Sequence, residues 1–261
     1  MDKKTITPKE ARQLFKDGLE STTSNWARGY AQANLVVLPK DDAYDFLLFC
    51  TRNPKPCPLL EVTEAGSPEP KAVAPGADLR TDLGGYRIYK KGALVEQTKD
   101  ITNWWQDDMV AFLLGCSFSF EEALVNGGVP VRHFEKGKDC PIYITTQHCV
   151  PSGRFSGPLV VTMRPVPSHL VGRAVTVTAR FPSVHGSPVH IGNPEVLGIK
   201  DLNSVDYGDP PDIYPGEVPI FWACGVTPQA VALKSKPDLM ITHIPTFMFI
   251  TDLWNESLAA F

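Results

Sequence analysis

The sequence predicts an α/β fold in which a mixed sheet carries helices, and three observations predict it. Helix-start signals concentrate in the first half of the 261 residues, and short apolar runs ended by proline or glycine fill the second half. The strict strand-helix alternation of a doubly wound sheet is missing between them. The third observation is an internal echo: AFLLGCSFSFEEA and IFWACGVTPQA each run from an apolar segment through an adjacent Gly and Cys to a hydroxyl residue and a helix start. That echo is consistent with duplication and with a single unit, 1–261, split into two subdomains of which 78–150 forms the smaller. A chain of this length buries a sizeable core in either arrangement.

The elements follow in order. Thr7, Pro8 and Glu10 supply an N-cap hydroxyl, an N1 proline and an N3 carboxylate, so a helix opens there and runs to Gly18 with Ala11, Leu14 and Phe15 on one side. QANLVVLP and YDFLLFCTRNP are short apolar runs ended by proline and read as buried strands, the second being equally compatible with a helix. Residues 52–78 are rich in Pro, Gly and Ala and read as a long loop of the kind a compact domain keeps for function. YRIYKKGALVEQ reads as a hairpin turning at Lys-Lys-Gly. From Asp100 to Leu114 the helical spacing of Trp105, Met109, Phe112 and Leu113 predicts a helix ended by Gly115. GCSFSFEEAL then starts another, with Ser119 and Glu122 as a capping box. CPIYITT, GPLVVTMRP, RAVTVTARFP, PVHIG and VPIFWACG read as strands, and Thr227 with Pro228 reads as the N-cap and N1 of a last helix.

Composition removes several function classes. A formal net charge of -4 and a pI near 5.9 leave no basic footprint for nucleic acid. Six cysteines are scattered without a C-x-x-C pair, so neither a zinc ribbon nor a disulfide framework is indicated and the thiols read as reduced. The N-terminal residues lack an apolar signal core, and no run approaches the roughly 20 apolar residues of a membrane span. The expectation is a cytoplasmic protein that acts on a small molecule, with homo-oligomerisation left open.

The chemistry-bearing residues sit at element ends. Arg52, Arg80 and Arg164 are the candidate carboxylate partners, because a guanidinium matches a carboxylate bidentately. His185 and His190 in VHGSPVHIG, and His243 in ITHIP followed by Asp252, are candidate proton carriers, since imidazole titrates near neutrality. Cys116 and Cys224 each precede a helix start, where a thiol can be activated. Ser117, Ser119 and Thr227 lie where helix-start amides receive anions. No G-x-S-x-G, H-E-x-x-H, G-x-G-x-x-G or P-loop spacing occurs. The histidine spacing identifies no metal triad, so no cofactor is assigned and a divalent metal such as Mn2+ stays open.

RNPKPCPLLEV, DLRTDL, DDMVAFLLGCSFSFEEAL, SGPLVVTMRP, HGSPVHIG, GEVPIFWACGVTPQ and ITHIPTFMFITDL occur in this order, and together they resemble the D-glutamate cyclase family, whose bacterial members are called hydro-lyases. The resemblance runs from about Gly29 to Leu253, in the form without the additional C-terminal domain of eukaryotic relatives. It implies an α/β fold of unusual topology and conversion of D-glutamate to 5-oxo-D-proline with loss of water. In such a reaction one arginine would hold the α-carboxylate, His185 or His243 would take the ammonium proton, and Ser117 with the amides near Ser119 would face the tetrahedral oxyanion. One departure stands out: the family commonly reads THAPGHM where this chain has THIPTFM, so a glycine and a histidine are replaced by Thr246 and Phe247. The competing expectation is a binder of an amino acid or dicarboxylate without catalysis.

Overall fold

The computed structural model describes residues 2–260. In chain order the elements are α1 (Pro8–Lys16), β1 (Tyr30–Pro39), α2 (Lys40–Arg52), β2 (Leu59–Val62), β3 (Tyr86–Lys90), β4 (Ala93–Thr98), β5 (Met109–Gly115), α3 (Phe118–Asn126), α4 (Arg132–Lys136), β6 (Ile142–His148), β7 (Pro158–Pro167), α5 (Val171–Ala179), β8 (His190–Ile191), β9 (Glu217–Ala223), α6 (Thr227–Ser235), β10 (Met240–His243) and β11 (Phe249–Trp254). No helix among the described residues is long and apolar enough to cross a membrane.

The fold is α/β with two sheets, and every strand pairing described is antiparallel. The larger has the order β2-β5-β1-β10-β3-β4, with β11 also pairing β1; the smaller has the order β6-β7-β9-β8. Strand β1 is the hub. Its one edge takes β5 from Ala33↔Gly115 to Pro39↔Met109. Its other edge takes β10 at Val36↔Thr242 and β11 at Ala33↔Phe249, so the THIPTFM segment leaves the sheet between two strands that share one partner. One face of the large sheet packs Leu35, Val37, Ile88, Leu113 and Ile241 under the 73–83 segment. The opposite face packs Val36, Leu38, Phe112 and Met240 against Phe46 and Phe49 of α2 and Val231 and Ala232 of α6. In the smaller sheet Val166 and Trp222 join Phe120 and Leu124 of α3 and Ala174 of α5. Residues 78–150 contribute β3, β4 and β5 to the large sheet and β6 to the small one.

Local signals worked where a side chain meets its own backbone. Thr7 Oγ1 accepts from Glu10 N at 3.3 Å while Glu10 Oε2 accepts from Thr7 N at 3.0 Å, the reciprocal box that opens α1. Lys91 and Gly92 turn the β3–β4 hairpin with φ of 51° and 79°, the double left-handed geometry that matches strand twist. The 40–52 run is helical as α2, the alternative its apolar content allowed.

Several expectations are corrected. Residues 100–114 do not form a helix: Thr102–Trp104 is a 3₁₀ turn and Met109–Gly115 is β5, buried at every position. A strand lying between β2 and β1 and covered on both faces is apolar throughout, so periodicity cannot separate it from a buried helix. RAVTVTARFP is not a strand; Val171–Ala179 is α5, which buries Ala174 and Thr178 one helical turn apart. Its β-branched residues are outweighed by that amphipathic spacing. Nor do strands cluster in the second half, since β1 to β5 precede α3.

Both expected hydroxyl caps are displaced. Ser117, not Ser119, stands at the N-cap of α3, and it makes no side-chain capping bond. Val226 precedes α6, with Thr227 as its first residue.

Candidate functional site

In each of the two echoed segments a buried strand turns into a helix, β5 into α3 and β9 into α6, and the fold brings the two turns together. Asn34 of β1 sits between them. Its Nδ2 donates to Leu114 O at 3.3 Å and Gly115 O at 3.0 Å. On the other side a Cβ at Gly225 would lie 2.0 Å from the same Nδ2, so only glycine fits there. Cys116 and Cys224 flank this contact and are both buried. Burial pushes both thiols up, Cys224 to about 11 and Cys116 further, with Cys224 adding to the effect on Cys116. Neutral thiols are the result, which removes the nucleophile reading and leaves them as lining groups.

Behind Ser117 lies a buried charge cluster. Arg164 of β7 and Glu121 of α3 are at most 1% exposed. Arg164 Nε donates to Glu121 Oε1 at 2.9 Å and Nη2 donates to the same oxygen. Nη2 also donates to Ser117 Oγ at 3.0 Å, and Nη1 to Thr162 Oγ1 at 3.1 Å. The guanidinium lies over the rings of Phe120 and Trp222, at 5.2 and 5.4 Å from their centroids. His133 Nε2 stands 2.9 Å from Glu121 Oε1, an ion-pair distance at an angle outside hydrogen bonding. Burial raises the Glu121 carboxyl, but the charges of Arg164 and His133 overcome it and hold it below the ordinary glutamate value. A narrow cavity of about 10 Å³, room for one water, reaches His133 past Arg132, Lys138 and Asp139. Burial raises the Asp139 carboxyl, helped by Asp209.

Glu121, His133 and Cys140 each offer one ligand atom, all within 4.8 Å of one another, the one such group among the described residues. Carboxylate, imidazole and thiol together suit a borderline ion such as Zn2+ better than Mn2+. The Arg164 guanidinium already supplies a cation to Glu121.

The remaining candidates divide. Ser119 Oγ accepts from Gln32 N at 3.0 Å, and Thr227 Oγ1 donates to Cys224 O at 2.7 Å and accepts from Val160 N at 3.1 Å. These two hydroxyls hold the turns in place. His185 is buried beside Gly115 with Nδ1 2.6 Å from Lys55 O, which assigns the proton to Nδ1. Burial, with the charges of Arg164 and Lys55, lowers its pKa to about 4, so the ring is neutral at pH 7. His185 also holds φ of 84°, a strained value for a non-glycine residue. His243 ends β10, beside its partner strand β1. Its Nδ1 accepts from Leu35 N at 3.2 Å, and burial lowers its pKa to about 4 as well.

Four expected residues stand apart. Arg52 is exposed and donates to Pro151 O, Arg80 pairs with Asp78 at 2.8 Å, His190 Nε2 meets Asn193 O at 2.7 Å, and exposed Asp252 pairs with Arg12 at 2.9 Å. Of the three arginines only Arg164 reaches Ser117.

Sequence reasoning missed Glu121, His133 and Arg87. Arg87 of β3 is half-buried, donates to Gln229 Oε1 at 3.3 Å, lies over the Tyr207 ring and keeps its Nε buried without a partner. Its place in YRIYK carried only a strand signal. Glu121 carries no local signal that sets it apart from the neighbouring Glu122.

The family model described as D-glutamate cyclase matches residues 110–252. A protein of Thermoanaerobacter pseudethanolicus is 63% identical over 255 residues, covering 97% of this chain and 96% of its own. One of Geobacillus kaustophilus is 60% identical over 254 residues, 97% of each chain. One of Bacillus subtilis is 58% identical over 255 residues, 97% of this chain and 99% of its own. All three carry the name "Putative hydro-lyase". Among solved structures, a nitrogen repressor-like protein from Methanococcus jannaschii aligns over 90% of this chain and 91% of its own at 10% identity, with a TM-score of 0.38, too loose to indicate a shared fold.

Proposed function

The chain belongs to the D-glutamate cyclase family, and from that membership and the paired turns we propose that it is a carbon-oxygen lyase acting on a small amino or carboxylic acid at the seam between its two sheets. The finer reading is cyclisation of D-glutamate to 5-oxo-D-proline. The α-nitrogen bonds to the γ-carboxyl carbon, one C–O bond of that carboxyl breaks, and its oxygen leaves as water with the two protons given up by the ammonium. A carboxylate is a poor electrophile, so the site must neutralise charge and hold the amine at attack distance; positioning alone supplies up to about 7–11 kcal/mol of the barrier.

The observation that carries this reading is the Ser117–Arg164–Glu121 array. Arg164 is fixed by Glu121 and so is spent on holding Ser117 rather than on clamping substrate. Ser117 Oγ, accepting from Nη2, directs its own proton away from the guanidinium, as a donor to the developing oxyanion. A donor of this kind is worth about 3 kcal/mol. Arg87, with its Nε unpartnered, takes the α-carboxylate. Asp139, raised by burial, gives a proton to the leaving oxygen and is recharged by one from the ammonium.

Incubating the purified protein with D- and L-glutamate, with and without Mn2+, and following oxoproline by mass spectrometry tests the reading. Product is expected from the D isomer, and Ser117→Ala is expected to lower kcat about 100-fold. Undiminished turnover in that variant removes Ser117 from the mechanism. No product from either isomer removes cyclisation.

A second reading, binding without turnover, is favoured by one observation. Phe247 occupies the place of the family histidine and packs 3.0 Å from where a Cβ on Gly84 would stand, so no proton carrier is present there. Heat of binding in calorimetry without product selects it.

A further inference from the structure

Arg12, Arg80, Arg132, Arg164 and Arg180 are buried or half-buried, and each meets a carboxylate: Asp252 at 2.9 Å, Asp78 at 2.8 Å, Glu217, Glu121, and Glu256 at 3.9 Å. Arg87 is the half-buried exception, with no carboxylate partner among the described residues. A guanidinium partly withdrawn from water without a counter-charge keeps its attraction for an anion that arrives from outside. Alternation along β3 puts Tyr86 and Ile88 on the face under the 73–83 segment and Arg87 on the face that meets α6. There Nη1 donates to Gln229 Oε1 at 3.3 Å, and Tyr89 OH donates to the same oxygen at 3.3 Å. Gln229 Nε2 donates to His243 O at 2.9 Å. These partners fix which way the amide points, since reversal would set Oε1 against a carbonyl and Nε2 against a guanidinium. Arg87 Nη2 makes no hydrogen bond among the described residues and, unlike Nε, is not enclosed. Tyr207, whose backbone bridges to Ile142 of the small sheet, has its ring centroid 5.7 Å from the guanidinium carbon, so the open side of Arg87 belongs to the seam between the sheets.

We propose that Gln229 is a positioning residue that anchors Arg87 through a neutral oxygen and so keeps its charge available to a carboxylate. The inference rests on the reading of Arg87 as the residue that takes the substrate carboxylate, and it adds what holds that residue ready. The echoed turns make the contrast within one molecule. Each delivers, in the first turn of its helix, a side chain that anchors an arginine: Glu121 of α3 holds Arg164, and Gln229 of α6 holds Arg87. Glu121 neutralises its arginine and fixes it behind Ser117. Gln229 has nearly the same shape and no charge, so the second arginine is oriented without being neutralised. The Arg87 charge is felt by its neighbour: burial lowers the His243 pKa to about 4, and Arg87 adds to the effect.

Isothermal titration calorimetry with glutarate, which carries two carboxylates and no amine to cyclise, reads binding apart from turnover. The whole chain should bind glutarate, and Arg87→Met should abolish the heat. Gln229→Glu, which turns the anchor into an ion pair, should weaken glutarate by about tenfold or more. Gln229→Met removes the same hydrogen bonds without adding a charge and should weaken it by less. Because a carboxylate beside the His243 carbonyl can prevent folding, Tyr207→Glu supplies the same charge from a half-buried position; it should also weaken glutarate by about tenfold, with Tyr207→Gln as its neutral counterpart. Melting temperatures confirm that each variant is folded. Wild-type affinity in Gln229→Glu, a loss in Gln229→Met as large as in Gln229→Glu, or equal affinities in the two Tyr207 variants overturns the proposal and leaves the reading of Arg87 standing. Unaltered binding in Arg87→Met, or no heat from the wild type, overturns both.

Discussion

At the scale of single residues, one position shows how tertiary constraint overrides side-chain identity. Thr246 stands where the family pattern has glycine, and it holds φ of 72°. Its backbone carbonyl accepts from Thr23 N at 2.9 Å, which fixes the turn whatever the side chain. A β-branched residue in that region is strained by about 1–2 kcal/mol, so Thr246→Gly should raise the melting temperature by a few degrees. An unchanged or lower value would mean that the threonine side chain returns as much as the strain costs. Arg164 offers a sharper contrast. Removing it as Arg164→Met strands the buried Glu121 carboxylate and should destabilise by about 3–5 kcal/mol, whereas the double variant with Glu121→Leu should recover most of that loss. Denaturant midpoints of the two variants decide the matter, and equal losses in both would show that packing rather than charge pairing governs the site. Neither Arg164 nor Glu121 revealed this partnership in sequence, because 43 positions separate them.

At the scale of elements, legibility followed the range of the interactions that define each one. The α1 capping box and the β3–β4 turn are closed by atoms a few residues apart, so the sequence specified them. Strand β5 is defined by its neighbours. MVAFLLG is apolar at every position that matters, and only pairing with β1 and β2 makes it extended. Gly115 shows the same point. It looked like a helix-ending glycine, but its φ is not left-handed; a Cβ there would stand 2.0 Å from Ser183 O. The glycine exists to let the 182–186 segment, with His185, approach the strand end. Gly115→Ala should therefore displace that segment: lost soluble yield, or a shifted His185 environment seen by NMR, is expected, while native stability with an unmoved histidine would contradict this account. The turns after β5 and β9 are legible as echoes of each other, yet neither helix takes a cap from the hydroxyl its sequence offers. Ser119 and Thr227 instead bond across to β1 and β7, a use no local pattern encodes.

At the scale of the whole molecule, burial of two neutral histidines ties stability to pH. His185 and His243 have folded pKa values lowered to about 4 by burial, against about 6.5 in an unfolded chain. As pH falls below 6.5 the unfolded state takes up a proton at each that the folded state refuses, so stability decreases down to about pH 4. Between pH 7 and pH 5 each should remove about 2 kcal/mol. Urea unfolding at both pH values measures this, and His185→Gln or His243→Gln should flatten the slope by about half; a slope unaffected by both would place the titration elsewhere. Family membership, an α/β class, a low net charge and the importance of GCSFS and ACGVT were all available from the sequence alone, since they rest on composition and on contiguous motifs. Which arginine meets Ser117, that Glu121 rather than Glu122 is the buried acid, and that Arg52, Arg80, His190 and Asp252 lie elsewhere were decided only by the tertiary structure. The physical reason is that helical phase and strand pairing choose which of two adjacent side chains is desolvated, and a buried charge is held only by a partner that folding brings from a distant part of the chain.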